Sequence, residues 1–371
     1  MYWCVGRNET QYKTRILKEI ATIFQKPRNF TRLFYTMTDA NAIYAAVQAA
    51  NNIVITSHKS PDGDSIGSSM GLFHVLKKWG KMVRVVHPDA APAFLKWVPG
   101  AETIVHFDTQ TIEASELLEN ADLIFCLDYN EPSRVGTDMQ SVLVNTKAQK
   151  IMIDHHLFPD PFCSLQISET AVCSTSQLVI QWLEAIGQAD VLDEISGTCL
   201  YLGIMTDTGS FRFPSVDAHT HDILSRLLRI GVKHWEIHEA IFDTNTIDRI
   251  RLRGFALSEK LVCLPELPIA YVSLTNDELN RFNYQKGDTE GLVNQVLGID
   301  GIKMAVLFVE KDGKIKISFR SKGEYVVNEL ARQHFEGGGH AYASGGISSL
   351  TMQETIKKFV TNVANFIPRT A

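Results

Sequence analysis

Short apolar runs that end in acidic or histidine residues constrain the fold of this 371-residue chain more than any other feature. The run 123–127 is followed by Asp128, and the run 151–153 is followed by an Asp-His-His triplet. Apolar runs this short, separated by stretches with helical periodicity, are typical of parallel strands that are buried on both faces. The sequence therefore predicts an α/β fold, in which a parallel sheet carries helices on both faces.

Helix and strand patterns alternate from residue 39 onward. Strands are predicted at 53–56, 82–86, 123–127 and 151–153, and helices at 39–50, 65–79, 174–186, 190–206, 217–230 and 233–243. After Pro265 the pattern alternates as in antiparallel strands, with a hairpin turn at Asp312-Gly313. Strands are predicted there at 269–273, 304–310 and 314–320, and helices at 326–333 and 351–366.

These patterns predict a division into domains. Residues 37–243 are expected to form a first α/β domain, 244–264 a helical linker, and 265–371 a smaller α/β domain. The first 36 residues are basic and weakly periodic, so we expect a poorly ordered extension. An upstream start codon or a targeting segment would also explain them, although the apolar stretch of a secretory signal is lacking.

Composition argues against a membrane protein and against a protein that binds long nucleic acid. No apolar run approaches the roughly 18 residues of a membrane span. The six cysteines form no Cys-x-x-Cys pair, which favours free thiols in a reducing cytoplasm. The net charge is −6, and because residues 1–38 carry about +5, the remainder carries about −11. This distribution is not typical of a protein that binds long nucleic acid through a basic surface, so no stable complex of that kind is expected. It fits a small anionic substrate whose charge is neutralised locally by a metal and a few Arg, Lys or His residues.

One tight loop combines a histidine with two aspartates. His58, Asp62 and Asp64 follow the first predicted strand, and Gly63 allows a sharp turn between the two aspartates. Taken alone, such a segment is an ordinary turn signal. We therefore give it a functional interpretation only in combination with the acidic and histidine residues that follow later apolar segments.

Those later residues are Asp128, His155 and Asp207, which we expect at strand–loop junctions. In open parallel sheets, ligands bind beyond the carboxyl ends of the strands. Buried carboxylates are costly unless a cation compensates them, so their convergence predicts a metal site. A ligand set of carboxylates and imidazoles without thiolates favours Mn²⁺ or Mg²⁺ over structural zinc.

The combination resembles the DHH phosphoesterase superfamily. The Asp154-His155-His156 triplet and the residues described above carry this resemblance. The segment Gly337-Gly338-Gly339-His340 resembles the type-1 DHH-associated domain. The similarity covers roughly residues 40–350, and at this length the arrangement resembles the nanoRNase and pAp phosphatase group.

The resemblance implies two divalent cations, with Mn²⁺ favoured and Mg²⁺ as the alternative. His58 and Asp62 would hold one cation, and the second would be held by Asp64, His155 and Asp207. Asp128 would bridge the two cations.

The resemblance also implies roles for the residues around the metals. His156 would face the substrate phosphate as a charge stabiliser or proton donor. Asp154 would orient the neighbouring histidines. The far phosphate of the substrate would be bound by Arg320, Ser321, Gly337, Gly338, Gly339 and His340, although a glycine-rich turn also has a purely structural explanation.

The implied activity is hydrolysis of short oligoribonucleotides to mononucleotides, or of 3′-phosphoadenosine 5′-phosphate (pAp) to AMP, in the cytoplasm. Alternative enzymes are a phosphodiesterase for the linear dinucleotide pApA, a RecJ-type single-strand exonuclease and a family II pyrophosphatase. A nucleotide sensor without turnover is an alternative of another class. No membrane partner is expected, and a homodimer is left open.

Overall fold

A six-stranded sheet forms the first half of the chain in the computed structural model, which describes residues 30–367. Its strands are β1 (Asn52–Thr56), β2 (Met82–His87), β3 (Val105–His106), β4 (Leu123–Leu127), β5 (Gln149–Asp154) and β6 (Leu165–Ser168). They lie in the order β3-β2-β1-β4-β5-β6, and every neighbouring pair is parallel. The predicted parallel sheet is confirmed, with β3 and β6 as additional edge strands that are short or only partly apolar.

Helices cover both faces of this sheet. Alternate residues of β1 enter two different cores, with Ile53 and Ile55 on one face and Val54 on the other. The first face is covered by α1 (Phe30–Ala49), α2 (Gly63–Lys78), α5 (Thr175–Ala185), α6 (Glu194–Asp207), α7 (Ala218–Arg229) and α8 (His234–Phe242), and the second by α3 (Thr111–Glu119) and α4 (Thr137–Asn145). Burial on both faces explains why the central strands are apolar throughout.

The order of the strands reverses between β1 and β4. Strands β2 and β3 extend the sheet to one side of β1, whereas β5 and β6 extend it to the other side of β4. A crevice opens at the carboxyl ends of strands at such a point. Asp128 follows β4 directly and His58 follows β1 after one residue, so the fold places both at this crevice.

Helices α2 and α6 cross very closely beside the crevice. A Cβ atom on Gly67 of α2 would lie 2.5 Å from the carbonyl oxygen of Cys199 in α6. Only a glycine allows the two backbones to approach this far. The crossing brings Asp64, in the first turn of α2, towards Asp207, at the last residue of α6.

A second, mixed sheet forms the C-terminal part. Its strands are β7 (Leu261–Cys263), β8 (Ile269–Leu274), β9 (Met304–Lys311), β10 (Lys314–Ser321), β11 (Gly338–His340) and β12 (Ala343–Ser348). They lie in the order β11-β12-β10-β9-β8-β7, and only β8 and β9 are parallel. β9 and β10 meet at the predicted hairpin turn, where Asp312 and Gly313 both have positive φ.

Five helices pack on the second sheet. They are α9 (Ile247–Glu259), α10 (Asn276–Arg281), α11 (Leu292–Leu297), α12 (Asn328–His334) and α13 (Met352–Val363). The predicted linker helix corresponds to α9. Its residues Leu252 and Ala256 are buried in the core of the second sheet, so this helix packs on that sheet rather than standing free between two domains.

The N-terminal region differs in part from the expectation. Helix α1 begins at Phe30, inside the stretch predicted as a poorly ordered extension. Residues 1–29 lie outside the described residues, so the prediction for them stays a prediction. Among residues 30–367, no helix is both long and apolar enough to cross a membrane.

Candidate metal centre

The structure brings the six predicted metal ligands together at the carboxyl edge of the parallel sheet. Their candidate ligand atoms form two groups, within each of which all the atoms lie within 4.8 Å of one another. The members are His58, Asp62 and Asp128 in one group and Asp64, His155 and Asp207 in the other. A third group joins Asp128 to His155 and His156, so the two sets of ligands are contiguous.

Both ligand histidines are oriented by backbone carbonyl groups. The Nδ1 atom of His58 lies 2.9 Å from the carbonyl oxygen of Lys59, and Nδ1 of His155 lies 3.1 Å from that of Val172. A carbonyl oxygen can only accept, so Nδ1 carries the proton in both rings. In the neutral form of each ring, Nε2 then has a lone pair that a metal could take, which is the usual arrangement for a histidine ligand.

Asp128 lies between the two histidines. Its Oδ2 atom is 3.4 Å from Nε2 of His58, and its Oδ1 atom is 3.6 Å from Nε2 of His155. The Thr175 hydroxyl donates a hydrogen bond of 3.0 Å to Oδ1. The backbone of Asp128 has a φ of +64°, a left-handed conformation that aspartate adopts more readily than most residues. Asp128 therefore presents one oxygen to each ligand group.

The beginning of helix α5 holds Asp64. The backbone N–H groups of Thr175 and Ser176 donate to its Oδ2 and Oδ1 atoms, at 2.6 and 2.9 Å. The first N–H groups of a helix have no partner within the helix and favour a negative charge. The carboxylate of Asp64 is thus fixed although the residue is fully buried.

The remaining two carboxylates lie at helix ends. Asp62 caps α2, because its Oδ1 atom accepts from the backbone N–H groups of Asp64 and Ser65. Asp207 is the last residue of α6, and its Oδ2 atom is 3.3 Å from Nε2 of His155. The helix predicted at 190–206 is confirmed, so Asp207 ends a buried helix that packs against α2, and the general expectation of a strand–loop junction is wrong for this residue.

The electrostatics of the centre fit a divalent cation. Burial and the neighbouring Asp64 carboxylate raise the pKa of Asp128 to about 8. Burial and the Asp64 charge also raise the pKa of Asp207 well above its ordinary value. These shifts reflect the cost of holding several like charges together away from water. A bound dication offsets that cost, and the oxygen and imidazole donors suit Mn²⁺ or Mg²⁺.

Asp154 and His156 form a pair beside the candidate ligands. Nδ1 of His156 lies 2.7 Å from Oδ1 of Asp154, and the backbone N–H of His156 donates to Oδ2 at 3.0 Å. Asp154 is fully buried and belongs to none of the three ligand groups. Burial lowers the pKa of His156, and the nearby positive charge of Arg134 adds to that shift.

The predicted substrate-binding residues lie on β10 and on β11 of the second sheet, apart from Gly337, which directly precedes β11. Burial and Asp64 raise the pKa of Asp207, whereas the charge of Arg320 opposes that rise, which places Arg320 near the acidic cluster. Ser321 is buried, and its hydroxyl donates to the carbonyl oxygen of Tyr325. The backbone of His340 ends β11, but its side chain lies outside the described residues.

The glycines of the same segment have a packing role. A Cβ atom on Gly337 would lie 2.0 Å from the carbonyl oxygen of Gly345, and one on Gly339 would lie 2.7 Å from that of Ala343. Both glycines thus allow the segment to lie close against β12. Gly338 has more room, because a Cβ atom added to it would lie 3.9 Å from the Cγ atom of Arg332.

Sequence reasoning did not identify several residues around the centre. Thr175 and Ser176 hold the Asp64 and Asp128 carboxylates, and Arg134 lies near His156. The run of hydroxyl residues at 174–176 before an apolar helix pattern is a recognisable start signal for a helix. That signal predicts the helix but not the carboxylate that the helix binds.

Comparisons with known proteins agree with this architecture. The DHH family, N-terminal domain, matches residues 52–204, and the DHHA1 domain matches residues 267–367. The bifunctional oligoribonuclease and PAP phosphatase NrnA of Bacillus subtilis (strain 168) is 30% identical over 299 residues, which cover 80% of this chain and 88% of that protein. The NrnA protein of Thermus thermophilus is 28% identical over 319 residues, which cover 85% of this chain and 90% of that protein.

A solved structure shows the same fold at higher identity. The crystal structure of an exopolyphosphatase-related protein from Bacteroides fragilis is 39% identical and has a TM-score of 0.84. The match covers 89% of this chain and 96% of that one. The similarity therefore extends through both sheets.

The parallel sheet, the acidic and histidine cluster at its carboxyl edge and the second mixed sheet define a metal-dependent phosphoesterase. The chain belongs to the DHH family, carries a DHHA1 domain, and shares this family with the NrnA proteins. The resemblance drawn from the sequence motifs is thereby confirmed.

Proposed function

We propose that this enzyme releases mononucleotides from short oligoribonucleotides and removes a phosphate from pAp to leave AMP. The main support is similarity to NrnA proteins over both sheets, together with a complete set of candidate ligands at the carboxyl edge of the first sheet. We further propose that it acts in the cytoplasm and forms no stable complex with long nucleic acid, in keeping with its net charge of −6.

Two divalent cations are proposed as cofactors, with Mn²⁺ favoured over Mg²⁺. His58, Asp62 and Asp128 would hold one of them, and Asp64, His155 and Asp207 the other, with Asp128 shared. Bound dications supply charge stabilisation to a phosphorane-like transition state and lower the pKa of water. The protein residues keep the ligands oriented, since Lys59, Val172 and the α5 N-terminus each fix one of them.

His156 is proposed to act on the substrate phosphate directly. Asp154 accepts from its backbone and lies at hydrogen-bond distance from its Nδ1, so the ring has a defined orientation. A histidine held in this way can stabilise charge on a phosphate oxygen or donate a proton to the leaving oxygen. Arg134 lies near the same ring and adds a positive charge on that side.

The second sheet is proposed to bind the terminal phosphate of the substrate. Arg320 is half-buried and close enough to Asp207 to influence its pKa, so it lies at the border between the metal centre and the second sheet. A guanidinium group suits bidentate contacts with a phosphate. A cleft bounded by this residue on one side and the metal centre on the other favours short substrates.

Replacing Arg320 with alanine should raise KM for a five-nucleotide RNA that carries a terminal phosphate by about tenfold or more. For the same RNA without its terminal phosphate, the substitution should raise KM much less, because that RNA lacks the group that Arg320 binds. Steady-state kinetics on both RNAs give the measurement. Arg251→Ala is the matched control, since this arginine is exposed on α9. An equal rise in KM for the two RNAs would contradict a phosphate-binding role for Arg320.

An alternative function is phosphodiesterase activity on the linear dinucleotide pApA. It uses the same proposed ligands and the same terminal phosphate contact, so parallel kinetics on pAp, pApA and short RNA rank the three substrates. A sensor without turnover is the remaining alternative. The complete set of carboxylates argues against it, because a binding protein needs no second ligand group.

A further inference from the structure

An exposed aromatic side chain borders the candidate metal centre. Phe158 follows His156 by two residues, and 66% of its surface is exposed to solvent. Its backbone has a φ of +60°, in the left-handed region that side chains other than those of glycine, asparagine and aspartate rarely adopt. Backbone strain of this kind is concentrated at functional sites. Packing in the core therefore does not explain why a phenylalanine stands at position 158.

Hydrogen bonds tie the loop that carries this aromatic ring to the candidate metal centre. The side-chain amide of Asn130 donates to the carbonyl oxygen of Leu157 at 2.7 Å. The backbone N–H of Asp160 donates to the carbonyl oxygen of Asn130, also at 2.7 Å. Asn130 itself follows Asp128 by two residues. The loop that carries Phe158 is thus tied to the loop that carries the central carboxylate.

Arg332, on helix α12, covers one face of the Phe158 ring. Its guanidinium carbon lies 5.0 Å from the centroid of the Phe158 ring, a cation–π distance. Its charge is only loosely paired, because Nη1 is 3.8 Å from the Glu329 carboxylate, beyond hydrogen-bond distance. Its aliphatic chain lies beside Gly338. The pair of side chains therefore extends from the metal centre to the glycine segment.

Phe158 lies two residues after His156, and Arg332 lies beside Gly338 of the segment proposed to bind the other phosphate. A nucleotide bound as proposed above would therefore bring its base towards this pair. One phosphate would lie at the metal centre and another at the second sheet, and the ribose that joins them carries the base. Every base has a flat π-face that stacks on an aromatic ring or a guanidinium group. Phe158 and Arg332 supply both of those groups, with the guanidinium carbon 5.0 Å from the centroid of the ring.

We propose that Phe158 is the stacking platform for the nucleobase next to the scissile phosphate, and that the base takes the ring face that Arg332 now covers. This inference rests on the proposed function, because it assumes a nucleotide substrate. Stacking requires a base but does not read its identity. The enzyme should therefore need a base at this position while accepting all four.

The test compares equilibrium binding of AMP with that of ribose 5-phosphate, which lacks the base. Phe158→Ala and Phe158→Leu both keep the Cβ atom, so the backbone strain is the same as in the wild type. Both substitutions should weaken AMP binding by about 5- to 100-fold. The affinity for AMP should then be close to the affinity for ribose 5-phosphate. Phe158→Trp should restore the preference for AMP. Phe242→Ala is the control, because Phe242 is an exposed phenylalanine on α8.

Two results would overturn the platform. One is an equal loss of affinity for both ligands, which indicates that Phe158 only shapes the loop. The other is an unchanged preference for AMP in the alanine variant. Hydrolysis of pAp by the wild-type enzyme is measured separately. If pAp is not hydrolysed while the variants still lose AMP binding selectively, the proposed function fails and the platform stands.

Discussion

Replacing Asp128 with asparagine should lower kcat by about 10³-fold or more in the presence of Mn²⁺. Asp128 is the carboxylate that faces both ligand histidines, at 3.4 Å from His58 and 3.6 Å from His155. An amide carries no charge and has a single oxygen, so one ligand group loses its oxygen contact and both lose the negative charge that they share. Steady-state turnover of pAp by the purified variant provides the measurement.

Asparagine is chosen because the fold should tolerate it. The φ of +64° at position 128 suits asparagine as well as aspartate, and the amide oxygen can still accept from Thr175. Circular dichroism and thermal unfolding should therefore stay close to the wild type. Asp108→Asn, at an exposed aspartate outside the ligand groups, is the control and should keep full activity. A variant at position 128 that retains a tenth or more of the wild-type rate would argue against a shared carboxylate.

Replacing Gly67 with alanine should reduce stability by about 2–3 kcal/mol and also lower turnover by about 10²-fold. The new Cβ atom would lie 2.5 Å from the carbonyl oxygen of Cys199 and 2.8 Å from the backbone nitrogen of Gly203. Neither is the end of a flexible side chain, so the two helices have to move apart. That movement separates Asp64 from Asp207 and loosens the second ligand group.

Gly254→Ala is the matched control for this substitution. Gly254 is exposed in the interior of α9, and no atom lies within 4 Å of its Cβ position. Alanine there should stabilise the protein by about 0.5–1 kcal/mol through helix propensity and leave turnover unchanged. Denaturant titrations and kinetics on both variants test the pair. If Gly67→Ala were as stable and active as Gly254→Ala, the close helix crossing would not be needed for the site.

The convergence of the candidate metal ligands could be predicted from the sequence because of how parallel sheets are built. The carboxyl ends of parallel strands meet at one edge, so residues that directly follow apolar runs come together there. His58, Asp128 and His155 follow β1, β4 and β5 in this way. The residue types then indicate the kind of ion, and the glycine between Asp62 and Asp64 indicates a tight turn.

Other parts of the site depend on packing that local patterns do not contain. Asp207 reaches the site from the end of a helix, because α6 crosses α2 at Gly67. The amide donors to Asp64 come from α5, 111 and 112 residues further along the chain. Phe158 has no periodic pattern around it, and its exposure follows from a strained backbone rather than from its residue type.

The most direct test of the central claim is turnover of pAp, pApA and a five-nucleotide RNA in parallel, with Mn²⁺ and with a metal chelator. The account predicts release of AMP or mononucleotides that requires Mn²⁺ and that falls off steeply as the RNA becomes longer. Tight nucleotide binding without turnover of any of the three, in the presence of Mn²⁺ or Mg²⁺, would contradict a phosphoesterase acting on short nucleotides and would support a sensor.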